Sequence, residues 1–338
     1  MAKSKTKRGK LQVAIVGAGN IGRIHGGCYQ RNRHTAVVAV CDAIPEVADA
    51  AAETFGCPAF YSVKAMLTSS IRIDAASVAT AGEENGSHHY APTMALLGAG
   101  IPVLGEKPIS NRLLEARRMV ALARRKRLPY AINLNHRFTP AAEKAKQWIE
   151  KGRLGALNLI NMRMWIDNPN ESSPYFHIRA LHPHSIDVMR YFCGDVRRVQ
   201  AFFKKGKGRR IWSNMQVNMA FRNGVIGHLA GSYDAGPGYG LELCEIVGSD
   251  ARLVIREAAE SLEFYPRRSN EVEIYQHPGG MENFGDTFQS RIDAWIDDLC
   301  RKTRPDRING RAHDALEAQK VIEAAILSWE KGTVESIR

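Results

Sequence analysis

The chain has 338 residues, 44% of them hydrophobic, and 47 lysines and arginines against 35 aspartates and glutamates give it a formal net charge of +12. That is enough apolar material for two domains. No run of about eighteen apolar residues is present to span a membrane, and the first apolar stretch, Leu11 to Val16, is too short for a secretory signal core, so a soluble, cytoplasmic protein is expected.

The first ten residues form a basic tail with Lys3, Lys5, Lys7, Arg8 and Lys10. From Leu11 to about Asn135, short β-branched runs alternate with amphipathic helical stretches. "LQVAIVG" precedes a helix from Asn20, "AVVAVC" one from Pro45, "IDAASVAT" one from His89, and "IPVLG" one from Asn111, before "YAINLN" closes the series. Continuous apolar strands, each followed by a helix, predict a parallel sheet covered on both faces.

After a helical stretch from Pro140 to Lys151 the rhythm changes. "ALNLINMRMWI", "VRRVQAFFK", "WSNMQVNMAF", "GVIGHLAGSY", "LELCEIVG" and "ARLVI" follow one another, interrupted by one helix, His184 to Cys193. Strands in succession predict a mostly antiparallel sheet. Two helical patterns, Phe284 to Arg301 and Ala312 to Trp329, end the chain. The expected fold class is α/β: a Rossmann domain over 11–136, an α/β domain with a large, mostly antiparallel open sheet over 137–310, and a terminal helical segment over 311–338.

The six cysteines, Cys28, Cys41, Cys57, Cys193, Cys244 and Cys300, show no C-x-x-C spacing. This argues against a disulfide framework or zinc knuckle and predicts reduced thiols. A second basic cluster, Arg117, Arg118, Arg124, Arg125, Lys126 and Arg127, lies in the helix after "IPVLG". No aromatic residues interleave with either cluster, so they read as a solvated tail and a wet helix face, and neither nucleic acid nor membrane is expected as a partner.

"VAIVGAGNIGRIH" places Gly17, Gly19 and Gly22 as G-x-G-x-x-G between a strand and a helix. The first glycine permits a tight turn, the second lets a pyrophosphate approach the backbone, and the third lets helix and strand pack closely, with the helix N-terminus at Asn20 and Ile21 meeting the anion. Asp42 ends the second strand, where a carboxylate accepts hydrogen bonds from ribose hydroxyls and repels a 2′-phosphate. Its neighbours Cys41 and Ala43 offer no arginine to receive one. NAD is therefore expected in preference to NADP.

Glu106-Lys107-Pro108 follows the strand "IPVLG" at its C-terminal end, the edge where ligands bind in open α/β sheets. Pro108 biases Lys107 toward an extended backbone. A partly desolvated lysine here can handle the proton of a hydroxyl or stabilise a developing alkoxide, with Glu106 steadying its charge.

These pieces, together with "VAT" at 78–80, His89, "EKP" at 106–108 and "NHRFTP" at 135–140, resemble the glucose-fructose oxidoreductase/inositol dehydrogenase (Gfo/Idh/MocA) family. The resemblance implies NAD(P)-dependent chemistry on sugars, cyclitols and related polyols, with Lys107 at the reacting hydroxyl and a histidine acid or base matched by His184, which stands with Asp187 in an H-x-x-D pattern. It also implies Thr80, His89, Asn135 and Arg137 as cofactor residues, a terminal helix returning to the first domain, and homodimers or homotetramers. The chain departs from the pattern at Ala180, where many members carry an aspartate, and in "AGEENGSHHY", where the family often has a short Thr-Pro-Asn turn.

Pro183 suits a first helical turn, so His184 falls at a helix N-terminus, where imidazolium is disfavoured, and Asp187 three residues on is expected to orient its ring. With alanine at 180, His182 or Arg179 is expected to take over the aspartate's work, and Trp165, Tyr175 and Phe176 either face a sugar ring or belong to the core. A metal site from His177, His182 and His184 lacks HExxH-type spacing and is not expected. The functional expectation is a dehydrogenase or reductase for a secondary hydroxyl or ketone of a sugar, cyclitol or derivative, with an NAD-dependent glycosidase using transient oxidation, or a non-catalytic NAD- and sugar-binding regulator, as alternatives.

Overall fold

The computed structural model describes residues 9–235, 241–257, 261–276 and 285–337. Lys3, Lys5, Lys7 and Arg8 of the expected tail, and Phe284 of the expected helix, lie outside them.

The first half alternates strand and helix: β1 (Leu11–Val16), α1 (Asn20–Arg31), β2 (Thr35–Cys41), α2 (Pro45–Phe55), β3 (Ala59–Phe60), α3 (Val63–Thr68), β4 (Ala75–Val78), α4 (Tyr90–Gly98), β5 (Val103–Gly105), α5 (Leu113–Lys126) and β6 (Tyr130–Ile132). The six strands lie parallel in the order β3-β2-β1-β4-β5-β6. The order reverses between β1 and β4, and the crevice beyond the carboxyl ends of these strands is where such a sheet binds its ligand. Gly17, Ala79, Glu106 and Asn133 follow β1, β4, β5 and β6 at that edge. The short β3 was not foreseen: two residues carry no readable alternation. On α5 the cluster Arg117, Arg118, Arg124, Arg125 and Lys126 is exposed, while Ala116, Met119, Leu122 and Ala123 face inward.

The second half begins with α6 (Pro140–Glu150), β7 (Leu157–Trp165), α7 (Phe176–Ala180) and α8 (Pro183–Cys193). It continues through β8 (Val196–Lys204), β9 (Asn214–Phe221), β10 (Ile226–Ser232), β11 (Leu241–Gly248), β12 (Ala251–Arg256), β13 (Ser261–Pro266) and β14 (Glu273–Tyr275). Helices α9 (Gly285–Arg301) and α10 (Ala312–Lys331) and strand β15 (Glu335–Ser336) complete the chain. Nine strands form one sheet, β14-β13-β12-β11-β7-β10-β9-β8-β15. Among the described residues its pairs are antiparallel except β10 with β7. Strand β8 shows why one face is covered: its buried and exposed residues alternate, with Val199, Ala201 and Phe203 turned to the core.

The final helices do not stay with the second sheet. Phe288, Ile292, Trp295 and Ile296 of α9 pack with Val13, Ile15 and Tyr29 of the first domain. Helix α10 divides its apolar face between Ala312, Ala315 and Leu316 in the first-domain core and Val321, Ile322, Ala325 and Ile326 in the second-domain core. No helix among the described residues is long and apolar enough to cross a membrane.

Candidate active site

A cleft of about 720 Å³ opens at the carboxyl edge of the first sheet. From the first domain it is lined by Gly19, Asn20, Ile21, Thr80, His89, Glu106, Lys107 and Asn135, and from the second by Ala180, His184, Tyr233, Glu242 and Glu257, among others.

The glycine loop is shaped by what surrounds it. Gly17 has φ +86°, and a Cβ there would stand 2.5 Å from the Thr80 amide nitrogen. At Gly22 a Cβ would come within 1.8 Å of the Gly17 carbonyl oxygen, whereas at Gly19 it would meet nothing within 4 Å. Two glycines thus close the turn while the middle one leaves room on the cleft side. No side chain caps the first turn of α1 and no acid stands in it, so its N–H groups remain available for an anion. Asp42 stands beside this loop, its Oδ2 accepting from Ala18 N at 2.7 Å and its Oδ1 from Ile44 N at 3.0 Å. A carboxylate has about four acceptor positions, so the two amides fix its direction without exhausting it. Farther in, Asn133 Oδ1 and Asn135 Oδ1 are buried with no partner among the described residues. An open backbone cradle, a fixed carboxylate and orphaned amide oxygens together fit a dinucleotide with a carboxamide at its far end.

Glu106 and Lys107 divide their work. The Glu106 carboxylate turns into the first domain and accepts from His25 Nε2 at 2.9 Å, Asn133 Nδ2 at 2.5 Å and the Lys107 amide at 3.1 Å. Burial alone would raise its pKa, but the His25 hydrogen bond and charge, with Lys107 and Asn133, hold it below the usual carboxylate range. Glu106 therefore anchors the strand end. The Lys107 ammonium crosses to the other domain and donates to the Ala180 carbonyl at 3.1 Å. Burial lowers its pKa, opposed by the charge of Glu106. The Lys107–Pro108 bond is cis, and the Pro108 carbonyl accepts from His89 Nδ1 at 2.8 Å.

Across the cleft, His184 sits in the first turn of α8 behind Pro183. It is 5% exposed and its Nδ1 has no partner among the described residues. Burial, then the nearby His136, Lys107 and His182, put its pKa well below the usual histidine value, so the ring is neutral and able to take a proton. Its ring stacks on that of His136 at 4.2 Å, and His136 Nδ1 meets Glu242 Oε1 at 2.8 Å.

Several expected residues stand elsewhere. Asp187 does not orient His184: it receives Arg137 Nε at 2.7 Å on Oδ2 and Arg137 Nη2 on Oδ1. Arg137 also reaches Asn309 and Asp314 and lies over the Tyr191 ring. Four of the five guanidinium donors are engaged in this way, and Arg137 is not in the cleft lining. Arg179 bridges Glu84 and Glu323. His182 bonds His177 through the two Nε2 atoms at 2.9 Å and Ser185 through Nδ1 at 3.0 Å, so these two rings pair with each other and do not converge with His184. Trp165 lies between Met164 and Ile166, which line the cleft; strand alternation sends its indole to the other face. Phe176 is core beside Tyr233, and the Tyr175 hydroxyl donates to Glu330.

His136, Asn133, Glu242 and Tyr233 escaped the sequence reading although they line the site. His136 lies inside "NHRFTP" beside Arg137, and Asn133 inside "YAINLN", so their place in those runs was the available signal. Glu242 and Tyr233 gave none, being ordinary strand residues until the sheet brings them over the crevice.

The family described as "Oxidoreductase family, NAD-binding Rossmann fold" (GFO_IDH_MocA) matches residues 11–134, and the GFO/IDH/MocA C-terminal domain matches residues 142–254. D-apiose dehydrogenase of Paraburkholderia graminis is 29% identical over 200 residues, covering 57% of this chain and 52% of that protein. The chain thus spans about half the length of that relative. UDP-N-acetylglucosamine 3-dehydrogenase of Acidithiobacillus ferrooxidans is 27% identical over 229 residues, 66% of this chain and 67% of that one. Levoglucosan dehydrogenase in complex with NADH and levoglucosan superposes with a TM-score of 0.87 at 18% identity, over 97% of this chain and 99% of that one, a likeness of fold.

Proposed function

We propose that this chain, which belongs to the Gfo/Idh/MocA oxidoreductase family, is an NAD-dependent dehydrogenase or reductase acting on a secondary hydroxyl or ketone of a sugar, cyclitol or sugar derivative. The observation that carries the reading is the meeting of Lys107 and His184, from different domains, in the cleft that the glycine loop opens into. NAD, when bound, supplies the two-electron acceptor or donor. The Gly17–Gly22 loop and the α1 N-terminus hold its pyrophosphate, Asp42 its adenosine ribose, and Asn133 and Asn135 its carboxamide. Lys107 donates to the oxygen at the reacting carbon and stabilises negative charge there, while neutral His184 takes up the proton that an alcohol loses on oxidation and returns it on reduction.

The test is a panel of sugars and cyclitols with NAD, read by NADH absorbance, on the parent and on Lys107→Ala. The variant is expected to bind NADH with the parent's affinity and to lose about 10²- to 10⁴-fold in kcat. Turnover at the parent rate would remove Lys107 from the chemistry.

A further inference from the structure

We infer that Glu242 determines specificity in this cleft: its carboxylate accepts from the hydroxyl of a ring carbon close to the reacting one, so that the substrate is a polyhydroxylated ring read through a second oxygen. The inference rests on the dehydrogenase reading of the same site and deepens it.

Strand alternation puts the charge where a core residue would be expected. Side chains at every second position of a strand share a face. On β11 that face carries Ile246 and Cys244, both in the second-domain core, and Glu242 is the next residue along it. The register sets Cys244 opposite Met162 and Glu242 opposite Met164 of β7, so the face that begins in the core ends at the cleft, where Glu242 and Met164 both line the wall. A carboxylate on an otherwise apolar strand face costs desolvation unless it is bonded. Breaks of this kind in a local pattern gather at functional sites.

The carboxylate is held at one oxygen and open at the other. Oε1 meets His136 Nδ1 at 2.8 Å, and since a carboxylate only accepts, the ring N–H donates. The backbone beneath it is fixed by β12: Glu257 N donates to the Glu242 carbonyl at 2.7 Å, and Glu242 N donates to Glu257 Oε2 at 3.5 Å. Glu242 Oε2 makes no hydrogen bond among the described residues, and the side chain keeps 15% exposure. The ring that anchors Oε1 is also the one on which His184 stacks, with centroids 4.2 Å apart. Glu242 therefore stands one imidazole away from the proposed proton acceptor. A substrate that gives one hydroxyl to His184 brings a neighbouring hydroxyl toward Oε2, and a hydroxyl donating to a carboxylate makes a charge-assisted bond, about twice as strong as a neutral one. A ligand with hydrogen in that place leaves the oxygen desolvated and unpaired, which is how hydrogen-bonding sites reject deoxy analogues.

Calorimetry on the protein–NADH complex, which cannot oxidise an alcohol, compares glucose and myo-inositol, each with its monodeoxy derivatives. At least one derivative is expected to bind about fivefold or more weaker than its parent sugar or cyclitol. Glu242→Ala is expected to remove most of that factor. Glu242→Gln keeps an oxygen for the His136 N–H and turns an amide NH2 to the cleft in place of Oε2; it is expected to shrink the same factor, and it carries the test if the alanine variant does not fold. The ratio of the two affinities is the readout, because a general loosening of the cleft weakens parent and deoxy ligand alike. No derivative weaker by about fivefold, including the case where no ligand binds, overturns the inference, as does a penalty that persists undiminished in either variant. The two readings fail separately. A penalty that disappears with Glu242 while no sugar or cyclitol ever reduces NAD leaves the recognition standing and removes the dehydrogenase, whereas oxidation of sugars without such a penalty does the reverse.

Discussion

Three buried histidines, His177 and His182 behind the cleft and His184 in its wall, link the fold to acid. Burial lowers all three, His177 to about 3 against the ordinary 6.5. In the window between those values the unfolded chain binds protons that the folded chain refuses, so stability falls as pH falls. The contribution is fully present above about pH 6.5 and is lost progressively toward the folded values, at about 1.4 kcal/mol per pH unit for each histidine. Urea unfolding followed at a series of pH values between about 6.5 and 4.5 is expected to show this slope. His177→Gln should reduce it by one proton, whatever the variant does to absolute stability; an unchanged slope would mean that His177 is protonated in the fold. The residue scale is also where sequence reading succeeds and fails most sharply. Lys107 was legible because a charged residue after an apolar strand has one place to go. Asp187 was read as a partner of His184 because spacing shows which residues share a helix face, and Arg137 as a cofactor residue through the family resemblance, but neither signal shows that a guanidinium from another element will claim the carboxylate.

At the scale of elements, the loop between β4 and α4 is tied to the second domain. Glu84, 3% exposed, accepts from the Ser173 hydroxyl and pairs with Arg179, which also holds Glu323 on α10. Glu84 and Asn85 both adopt left-handed backbone conformations, φ +55° and +62°, which cost energy in residues other than glycine and persist because the ion pair holds the loop. The tip residue Asn85 lines the cleft. Removing Arg179 leaves a carboxylate buried without its cation, so Arg179→Ala is expected to cost about 3–5 kcal/mol. Adding Glu84→Gln should return part of that loss, and a double-mutant cycle in urea measures the coupling. Hydrogen exchange should report faster opening of residues 82–88 in Arg179→Ala; protection equal to the parent's would show that the loop stands without the pair. The sequence reading marked "AGEENGSHHY" as a departure and Arg179 as a stand-in for the missing aspartate without connecting them, because an ion pair across 95 positions leaves no periodicity. Most of the longer strands and helices, which do have a period, were legible to within a few residues, whereas α3, α7, β13, β14 and β15 were not read.

The molecule as a whole is joined by its last two helices as well as by the cleft. Periodicity shows that α9 and α10 are amphipathic but not which sheet each faces. The boundary expected at residue 310 left α9 with the second sheet, whereas Trp295 and Ile292 are fully buried in the first-domain core. Helix α10 enters both cores, with Leu316 in the first and Ile322 in the second. A helix shared in this way transmits the loss of either core to the other, so the two domains should unfold in a single transition. Leu316→Ala and Ile322→Ala each delete a buried branched side chain and are expected to cost about 2–5 kcal/mol. Their signature is reach rather than size: native-state hydrogen exchange at β1 in the first sheet and at β9 in the second should be accelerated together by either substitution. Leu316→Ala weakening β1 while β9 keeps its protection, with the reverse for Ile322→Ala, would show two domains that open independently and would limit α10 to a tether.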